Sequence, residues 1–235
     1  MRKIITVFLL LTTLNLSAQD IVLDSLSASI ATVEDGDYYR EDQIYLNLSS
    51  IQAFDVENNL RQIGLSYSYA FGYIRDIPLN KRGSWALGFG IGYNRNRVKL
   101  TYDKASPFNE LNSDISSDYL FETKVVLNTL QFPVELRFRN STATKYRFWR
   151  VYAGVTFNLL LRDKVEVSRN LTTKNYSNTG LFRDLEWGPH MTLGYGIWNF
   201  YIYYSVNNLF TNEAQSSYSG FETKYLKLGL QFYIF

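Results

Sequence analysis

The sequence predicts an all-β fold, an eight-stranded antiparallel transmembrane β-barrel with both termini in the periplasm. Residues 84–94 alternate large apolar side chains at odd positions with small or polar ones at even positions, the period of a strand with two unlike faces. The composition combines 19 Tyr, 16 Phe and 4 Trp with only 46% hydrophobic residues, which suits alternating strands with aromatic girdles. Short and longer connections also alternate along the chain. We therefore expect the apolar face to contact lipid and the other face to line a narrow lumen.

A signal peptide is predicted at residues 1–18. Arg2 and Lys3 precede an apolar run that ends at the small-residue site Ser17–Ala18, so we expect the mature chain to begin at Gln19 and to be exported. A transmembrane anchor is the alternative, but the apolar run falls short of the ~20 residues that a span needs. The chain has no cysteine, which excludes disulfides and thiolate metal sites.

Residues 19–42 are predicted to form an acidic N-terminal extension in the periplasm. They carry several Asp and Glu residues without sustained hydrophobic periodicity. Two interpretations remain open, a solvated tail or a segment that binds a partner. The barrel domain is expected to span 43–235.

Eight strands follow from the alternation of apolar and polar or small residues. They are predicted at about 44–54, 63–73, 84–102, 118–139, 149–161, 186–197, 200–210 and 226–234. Pro133 cannot donate a ladder hydrogen bond, so we expect a bulge or an unpaired position there. In outer-membrane barrels a terminal Phe usually shares the apolar face, whereas Phe235 follows Ile234 on the opposite parity.

The connections predict which end of the barrel is which. Short turns are expected near 78–83, 140–146 and 197–199, and mostly longer loops near 104–117, 169–180 and 211–220. An even strand number with turns at one end and loops at the other is typical of outer-membrane barrels. The first connection, near 55–59, is short and fits this pattern least well.

Charged side chains are predicted to fill the lumen and pair with one another. An unpaired buried charge is strongly unfavourable, so we expect Glu135 to meet Arg150, with Glu186 nearby. Gly88, Gly90 and Gly92 would keep one wall bare for long side chains that enter from across the barrel. A structural plug is favoured over a proton or substrate relay, because eight strands enclose a space that side chains fill. The predicted lumen network comprises Glu135, Arg137, Arg150, Glu186, His190 and Lys227.

No catalytic, metal or cofactor site is predicted. His190 is the only histidine, and a hydrolase would have to combine it with Glu186 and a nucleophile such as Ser66 or Ser68. Nothing else in the sequence supports that chemistry, and a single histidine among scattered carboxylates gives no metal-ligand spacing. We therefore expect a non-enzymatic protein.

A basic rim is predicted at the periplasmic turns. It could contact anionic lipid headgroups or an acidic partner, or it could consist of solvated turn residues. The net charge of +2 and the absence of a basic stripe give no indication of nucleic-acid binding. The rim comprises Lys81, Arg82, Arg139, Lys145 and Arg147.

Four segments resemble the PorT-like outer-membrane barrels of Bacteroidota: 39–45 (YREDQIY), 72–81 (GYIRDIPLNK), 145–152 (KYRFWRVY) and 198–204 (WNFYIYY). The resemblance spans most of the mature chain. It implies an accessory or assembly component of type IX protein secretion, and of gliding motility where that occurs, with other outer-membrane or secretion proteins as partners. The alternative is a small outer-membrane channel or ligand-binding barrel unrelated to secretion.

Overall fold

Eight long antiparallel strands close into a barrel in the computed structural model, which describes residues 42–55, 60–102, 121–140, 148–169, 172–217 and 223–234. These ranges contain ten strands and one short helix. They are β1 Gln43–Asp55, β2 Leu60–Gln62, β3 Tyr67–Pro78, β4 Trp85–Tyr102, β5 Phe121–Arg139, β6 Trp149–Arg169, β7 Thr172–Ser177, β8 Leu185–Tyr195, β9 Trp198–Tyr204, α1 Asn212–Ser217 and β10 Thr223–Ile234. The barrel runs β1-β3-β4-β5-β6-β8-β9-β10 and closes between β10 and β1. The predicted signal peptide, nearly all of the acidic extension and Phe235 lie outside the described residues.

The stagger of the strands makes the interior narrow. Following the paired residues once around the barrel leads from Ala86 to Asn96, ten positions further along β4. A closed eight-stranded sheet of this kind has strongly tilted strands and an interior that side chains just fill. The register therefore favours a packed lumen over an open channel.

Strict alternation separates the two faces of the wall. Along β8, residues from Leu185 to Tyr195 are alternately exposed and buried, and β9 behaves in the same way. Exposed large side chains include Trp149 and Phe200, at 67% and 70% of their full accessibility. Aromatic pairs form an outward belt at one end of the strands: Trp85–Phe138, Trp149–Tyr195 and Trp198–Phe232, with ring centroids 4.9, 5.2 and 5.9 Å apart.

The end of the barrel that carries this aromatic belt is called the turn end. There β1 begins, β10 ends, and residues 79–84 join β3 to β4. Gly196 and Ile197 form the two-residue connection from β8 to β9, one position earlier than predicted. Gly196 has a φ of 61°, and a first turn residue with positive φ is what a tight hairpin of this kind requires.

The opposite end, the loop end, is closed by an apolar cluster. Val98, Leu100, Val125 and Val165 point inward from β4, β5 and β6. Phe182, Leu209, Phe210 and Ala214 from the connections after β7 and β9 pack against them, with Phe182 and Phe210 stacked at 5.3 Å. The interior at this end is therefore a small hydrophobic core.

A β-bulge at Leu161 makes this core possible. The β5–β6 register shifts where Asn128 pairs with Arg162 and Thr129 with Leu160, which leaves Leu161 as the extra residue. A one-residue shift moves all later side chains to the other face. Beyond it Val165 and Val167 face inward, whereas Arg162 and Lys164 face outward.

Several predicted element boundaries differ from the structure. The second strand begins at Tyr67 and runs to Pro78, and the seventh ends at Tyr204. The predicted loop 169–180 contains β7, which pairs with β6, and the predicted loop 211–220 contains α1. The loop predicted at 104–117 and residues 141–146 of the turn predicted at 140–146 lie outside the described residues.

Pro133 lies within a continuous β5–β6 ladder, opposite Thr156, so the bulge expected there lies instead at Leu161. On the β4 side the pairing skips Gly90 and Ile91, opposite Pro133 and Phe132, which is the unpaired position that a proline imposes. Among the described residues, no helix is long and apolar enough to cross a membrane.

Candidate functional site: the polar lumen

An ionic cluster occupies the lumen at the turn end. Asp76 of β3 points inward and its two carboxylate oxygens pair with Arg137 and Arg139 of β5. Arg137 also lies 3.5 Å from Glu135, measured from Nη2 to Oε1. All four side chains are at most 1% exposed. Two carboxylates therefore share the same guanidinium, the arrangement that makes buried charges tolerable.

The bare wall of β4 makes room for this cluster. Gly88 lies opposite Glu135 on β5 and Asp76 on β3. A Cβ at Gly88 would lie 2.8 Å from Nε of Arg137, and a Cβ at Gly92 would lie 2.1 Å from Oη of Tyr45. Side chains from β5 and β1 thus lie against a stretch of β4 that presents glycines to the lumen.

Arginines and aromatic rings alternate across the lumen next to the ionic cluster. The guanidinium carbon of Arg137 lies 4.6 Å from the ring centre of Tyr152 and 5.8 Å from that of Tyr233. Arg150 lies over Phe148 at 4.6 Å and over Tyr233 at 5.3 Å. Because cation–π stacking and close packing coincide here, this layer blocks the lumen near the turn end.

His190 and Glu135 lie in the middle of the barrel. His190 Nε2 is 3.8 Å from Glu135 Oε2, and His190 Nδ1 is hydrogen-bonded to Thr156 Oγ1 at 2.9 Å. An enclosed space of about 10 Å³ lies beside them, bordered also by Tyr45 and Lys227. A volume of this size holds about one water molecule.

A second polar group lies towards the loop end. Asn158 Nδ2 donates to Glu186 Oε2 at 2.8 Å, and the Tyr203 hydroxyl donates to the other oxygen of Glu186. Lys227 Nζ lies over the rings of Tyr203 and Tyr225 at 5.2 and 5.4 Å. Amide, phenol and ammonium groups therefore surround the Glu186 carboxylate without placing it against His190.

A family model described as "Outer membrane protein beta-barrel domain" matches residues 34–211. The chain belongs to this family. Comparison with curated proteins gave no significant match. Membership of this family places the chain in the outer membrane. The band of exposed apolar side chains around the barrel, called the apolar belt, therefore faces lipid.

Two solved structures are similar to this outer-membrane β-barrel. The crystal structure of Neisserial surface protein A has 9% identity and a TM-score of 0.41, and the match covers 82% of this chain and 96% of that one. The structure of Ail, the attachment invasion locus protein of Yersinia pestis, in complex with sucrose octasulfate has 11% identity and a TM-score of 0.34, with 82% and 99% covered.

All six residues of the predicted lumen network are buried on the inward face of this outer-membrane β-barrel, but the expected pairing is wrong. Glu135 lies opposite Gly154, whereas Arg150 lies four residues earlier on β6, opposite Arg139. Glu135 instead contacts Arg137 and His190. The six residues are Glu135, Arg137, Arg150, Glu186, His190 and Lys227.

The predicted basic rim is divided by the structure. Lys81 and Arg82 are exposed in the turn between β3 and β4. Arg139 is fully buried against Asp76, which corrects its place at the surface rim. Lys145 and Arg147 lie outside the described residues.

Asp76 is the lumen residue that the sequence analysis missed. The second strand was predicted to end at Tyr73, yet its inward parity, which includes Ser68 and Ala70, continues through Ile74 to Asp76. Extending the alternation past the exposed Arg75 would have identified it. The contacts of Tyr152 and Tyr233 with Arg137 and Arg150 depend on the closed barrel and cannot be read from any one strand.

The hydrolase arrangement left open by the sequence is not formed. His190 contacts Thr156 and Glu135 rather than Glu186. Ser68 donates to Asn94 at 2.8 Å, and Ser66 accepts the backbone N–H of Lys99 at 3.1 Å. Within the described ranges, no group of three or more His, Asp or Glu residues is placed to hold a metal ion.

Proposed function

We propose that this protein is a non-enzymatic outer-membrane barrel that acts as an accessory or assembly component of type IX protein secretion, and of gliding where the organism glides. The proposal takes the secretion role from the resemblance to PorT-like barrels of Bacteroidota. The observation that carries its mechanism is the filled lumen. A barrel that conducts nothing has to act through its ends or its outer wall.

The filled lumen argues against a conduit at two levels. Arg137, Tyr152 and Tyr233 stack across the turn end, and the apolar cluster around Phe210 closes the loop end. The enclosed space between them has a volume of about 10 Å³. Exported proteins are far larger than this, so the barrel serves the secretion route without being its channel.

The turn end is the better candidate for partner contact. The described parts of the four resembling segments each include residues at that end, namely 42–45, 72–81, 148–152 and 198–204. The exposed Lys81 belongs to one of them, and the exposed Arg82 follows it directly. Asn80 holds their turn in shape, because its side chain donates to Ser84 Oγ at 2.7 Å and accepts the Trp85 N–H at 3.3 Å.

A complementation experiment tests the secretion role. Deleting the gene should reduce type IX secretion and gliding, and the wild-type gene should restore both. Replacing Lys81, Arg82, Lys145 and Arg147 with Gln should impair rescue at unchanged membrane yield. Arg139 is left intact because its buried pair with Asp76 supports the fold.

The matched control replaces four cations elsewhere, namely Lys104, Lys174, Arg183 and Lys224, with Gln. It should rescue as well as wild type. Normal secretion in the deletion strain would overturn the secretion role. Full rescue by the turn-end variant would exclude its cations as the partner contact.

Single-channel recording separates this proposal from a small channel. The purified barrel in a planar bilayer should show no conductance of ordinary ions, because two packed layers cross its lumen. Steady conductance would overturn the filled-lumen mechanism and favour the channel alternative, whatever the secretion assay shows. Binding of a small solute in the lumen would favour the ligand-binding alternative.

A further inference from the structure

A basic patch lies on the outward face of β4, β5 and β6, directly beyond the apolar belt on the loop-end side. It consists of Arg95, Arg97, Lys99, Lys124, Arg162 and Lys164. Two acids share this face, Glu122 and Glu166. The bulge at Leu161 turns Arg162 and Lys164 outward, so the patch depends on a specific backbone feature.

The register arranges these side chains in rows. In the row next to the apolar belt, Arg95 and Arg162 flank Asn128, and in the second row Arg97 and Lys164 flank Val126. The acids appear only in the third and fourth rows. Four cations and no acid therefore border the belt, in two columns separated by twice the strand spacing, about 10 Å.

The lysines and arginines of the patch differ in their partners. Lys99 pairs with Glu122 at 3.0 Å, and Glu166 pairs with both Lys124 and Lys164. No carboxylate among the described residues pairs with Arg95, Arg97 or Arg162. Nε of Arg97 is buried without a hydrogen-bond partner in this part of the chain.

The positive charge of the patch also acts on a neighbouring phenol. Arg97 Nη1 donates to the Tyr67 hydroxyl at 3.1 Å, and the guanidinium lies over the Tyr67 ring at 5.5 Å. This hydrogen bond, together with the charges of Arg97, Arg95 and Lys124, lowers the pKa of Tyr67 below its ordinary value. An anion at this place would meet the same favourable field.

An apolar groove lies in the belt immediately below the basic patch. Its volume is about 440 Å³, and its lining includes Tyr93 and Leu130, which occupy the row below Arg95. Its walls also include Ile44, Phe71, Tyr73 and Ile91, and Gly72 and Gly92 contribute to its surface. A groove of this kind accommodates a hydrocarbon chain whose polar head reaches the row above.

We propose that the basic patch and the groove bind one phosphorylated, acylated glycolipid of the outer leaflet, the lipid A part of lipopolysaccharide. Arg95, Arg97 and Arg162 contact its phosphates and the groove holds an acyl chain. Guanidinium groups suit this role because they bind phosphate through paired hydrogen bonds. The proposal takes the loop end as the exterior end, as longer loops are extracellular in outer-membrane barrels.

Lipid binding to the purified barrel tests the proposal, with native mass spectrometry as the readout. The probes are diphosphoryl lipid A, its dephosphorylated form and phosphatidylglycerol. Wild type should bind diphosphoryl lipid A at least tenfold more tightly than either of the other two. Replacing Arg95, Arg97 and Arg162 with Gln should remove that preference, and replacing them with Lys should retain part of it.

The matched control replaces three outward cations of the turn end, Arg75, Lys81 and Arg82, with Gln. It should bind lipid A as wild type does. Each variant is first checked for heat-modifiable migration on a gel, so that misfolded protein is not scored. Equal binding of lipid A with and without phosphate, or an unchanged preference in the triple Gln variant, would overturn the proposal. Equally tight binding of phosphatidylglycerol would overturn the choice of lipopolysaccharide.

Discussion

The barrel has two sections with opposite arrangements of apolar and polar side chains. The belt section faces lipid and reaches Tyr93 on β4, and the loop-end section lies beyond it. In the belt section, β4 presents Phe89 and Ile91 to lipid, and it presents glycines to a lumen that is filled with charged side chains. In the loop-end section, the same strand presents Arg97 and Lys99 outward and Val98 and Leu100 inward. A strand supplies two faces, and the medium outside determines which of them is apolar. A section surrounded by lipid requires an apolar exterior, whereas a section surrounded by water can have a polar exterior and a hydrophobic core.

Different elements achieve this inversion by different means. On β4 the composition of each face changes after Tyr93, with no break in register. On β6 the bulge at Leu161 exchanges the faces. The interiors then depend on different forces: charge pairing and hydrogen bonds in the belt section, and apolar burial at the loop end.

Inserting an alanine directly after Leu161 should have the largest effect, because the one-residue bulge can then no longer keep the later residues in their register. Arg162 and Lys164 would then face the apolar interior, where each unpaired charge costs several kcal/mol, and Val165 would face water. We expect the loop end to unfold while the belt section stays protected by lipid. Limited trypsin digestion of the reconstituted barrel measures this as new cleavage in β5–β7. Leu161→Ala keeps the bulge and should stay resistant; a resistant insertion variant would contradict the argument.

Asp76→Asn tests the ionic interior of the belt section. It leaves Arg137 and Arg139 without their shared carboxylate, and breaking a buried pair in this way costs about 3–5 kcal/mol. Urea unfolding in lipid vesicles measures the loss. The control is Glu122→Gln, which removes a carboxylate that is 48% exposed and should cost under about 1 kcal/mol. Equal losses in the two variants would mean that the lumen pairs add nothing beyond surface pairs.

Leu100→Ala and Leu87→Ala compare the two sections on one strand. Leu100 is fully buried in the loop-end cluster, so its truncation should cost about 2–5 kcal/mol. Leu87 faces lipid, whose chains are as apolar as leucine and fill the gap, so its truncation should cost clearly less. The same unfolding experiment measures both. A larger loss for Leu87→Ala than for Leu100→Ala would contradict the conclusion that apolar burial stabilises the interior of the loop-end section.

Gly92→Ala tests the bare wall of the lumen. The added Cβ would lie 2.1 Å from Tyr45 Oη and 2.7 Å from the carbonyl oxygen of Phe71, and overpacking of this kind costs about 1–3 kcal/mol. Tyr45→Phe removes the nearest atom and should recover part of the loss. A double-mutant cycle measures this coupling. Strict additivity of the two changes would place the strain elsewhere.

The alternation of side chains predicted the strands of the belt section because lipid outside and packed side chains inside impose a strict period of two. The pattern weakens where both faces become mixed. Leu159, Leu160 and Leu161 are compatible with either phase, so the bulge and the outward turn of Arg162 were not predicted. Arg75 and Pro78 interrupt the apolar pattern of β3, which concealed Asp76.

The pairing partners in the lumen could not be read from single strands. Glu135 and Arg150 are both inward residues on neighbouring strands, as predicted, but the ladder places them four residues out of line. That offset depends on how the hairpin between β5 and β6 closes. Arg139 was placed in the surface rim because of its position beside a turn, although its parity points inward.

Glu166 provides the smallest and most selective test, because it probes ion pairs on the water-exposed exterior. Hydrogen bonds from Lys124 and Lys164 hold the pKa of this carboxyl below its usual range. Its contribution to stability is therefore fully present above the unfolded value of 4.5 and is lost as the pH falls through the lower folded value. We expect Glu166→Gln to cost under about 1 kcal/mol at pH 7 and progressively less as the pH falls below 4.5.

Unfolding free energies of wild type and Glu166→Gln across this range measure the difference, which high salt should also reduce. The Asp76→Asn loss should be insensitive to salt, because its charges are buried in the lumen. A salt-sensitive loss for Asp76→Asn would mean that water and salt reach the lumen pairs. A salt-insensitive loss for Glu166→Gln would mean that they do not reach the exterior pairs. Salt dependence thus separates an ionic interior from an ionic exterior on the same barrel.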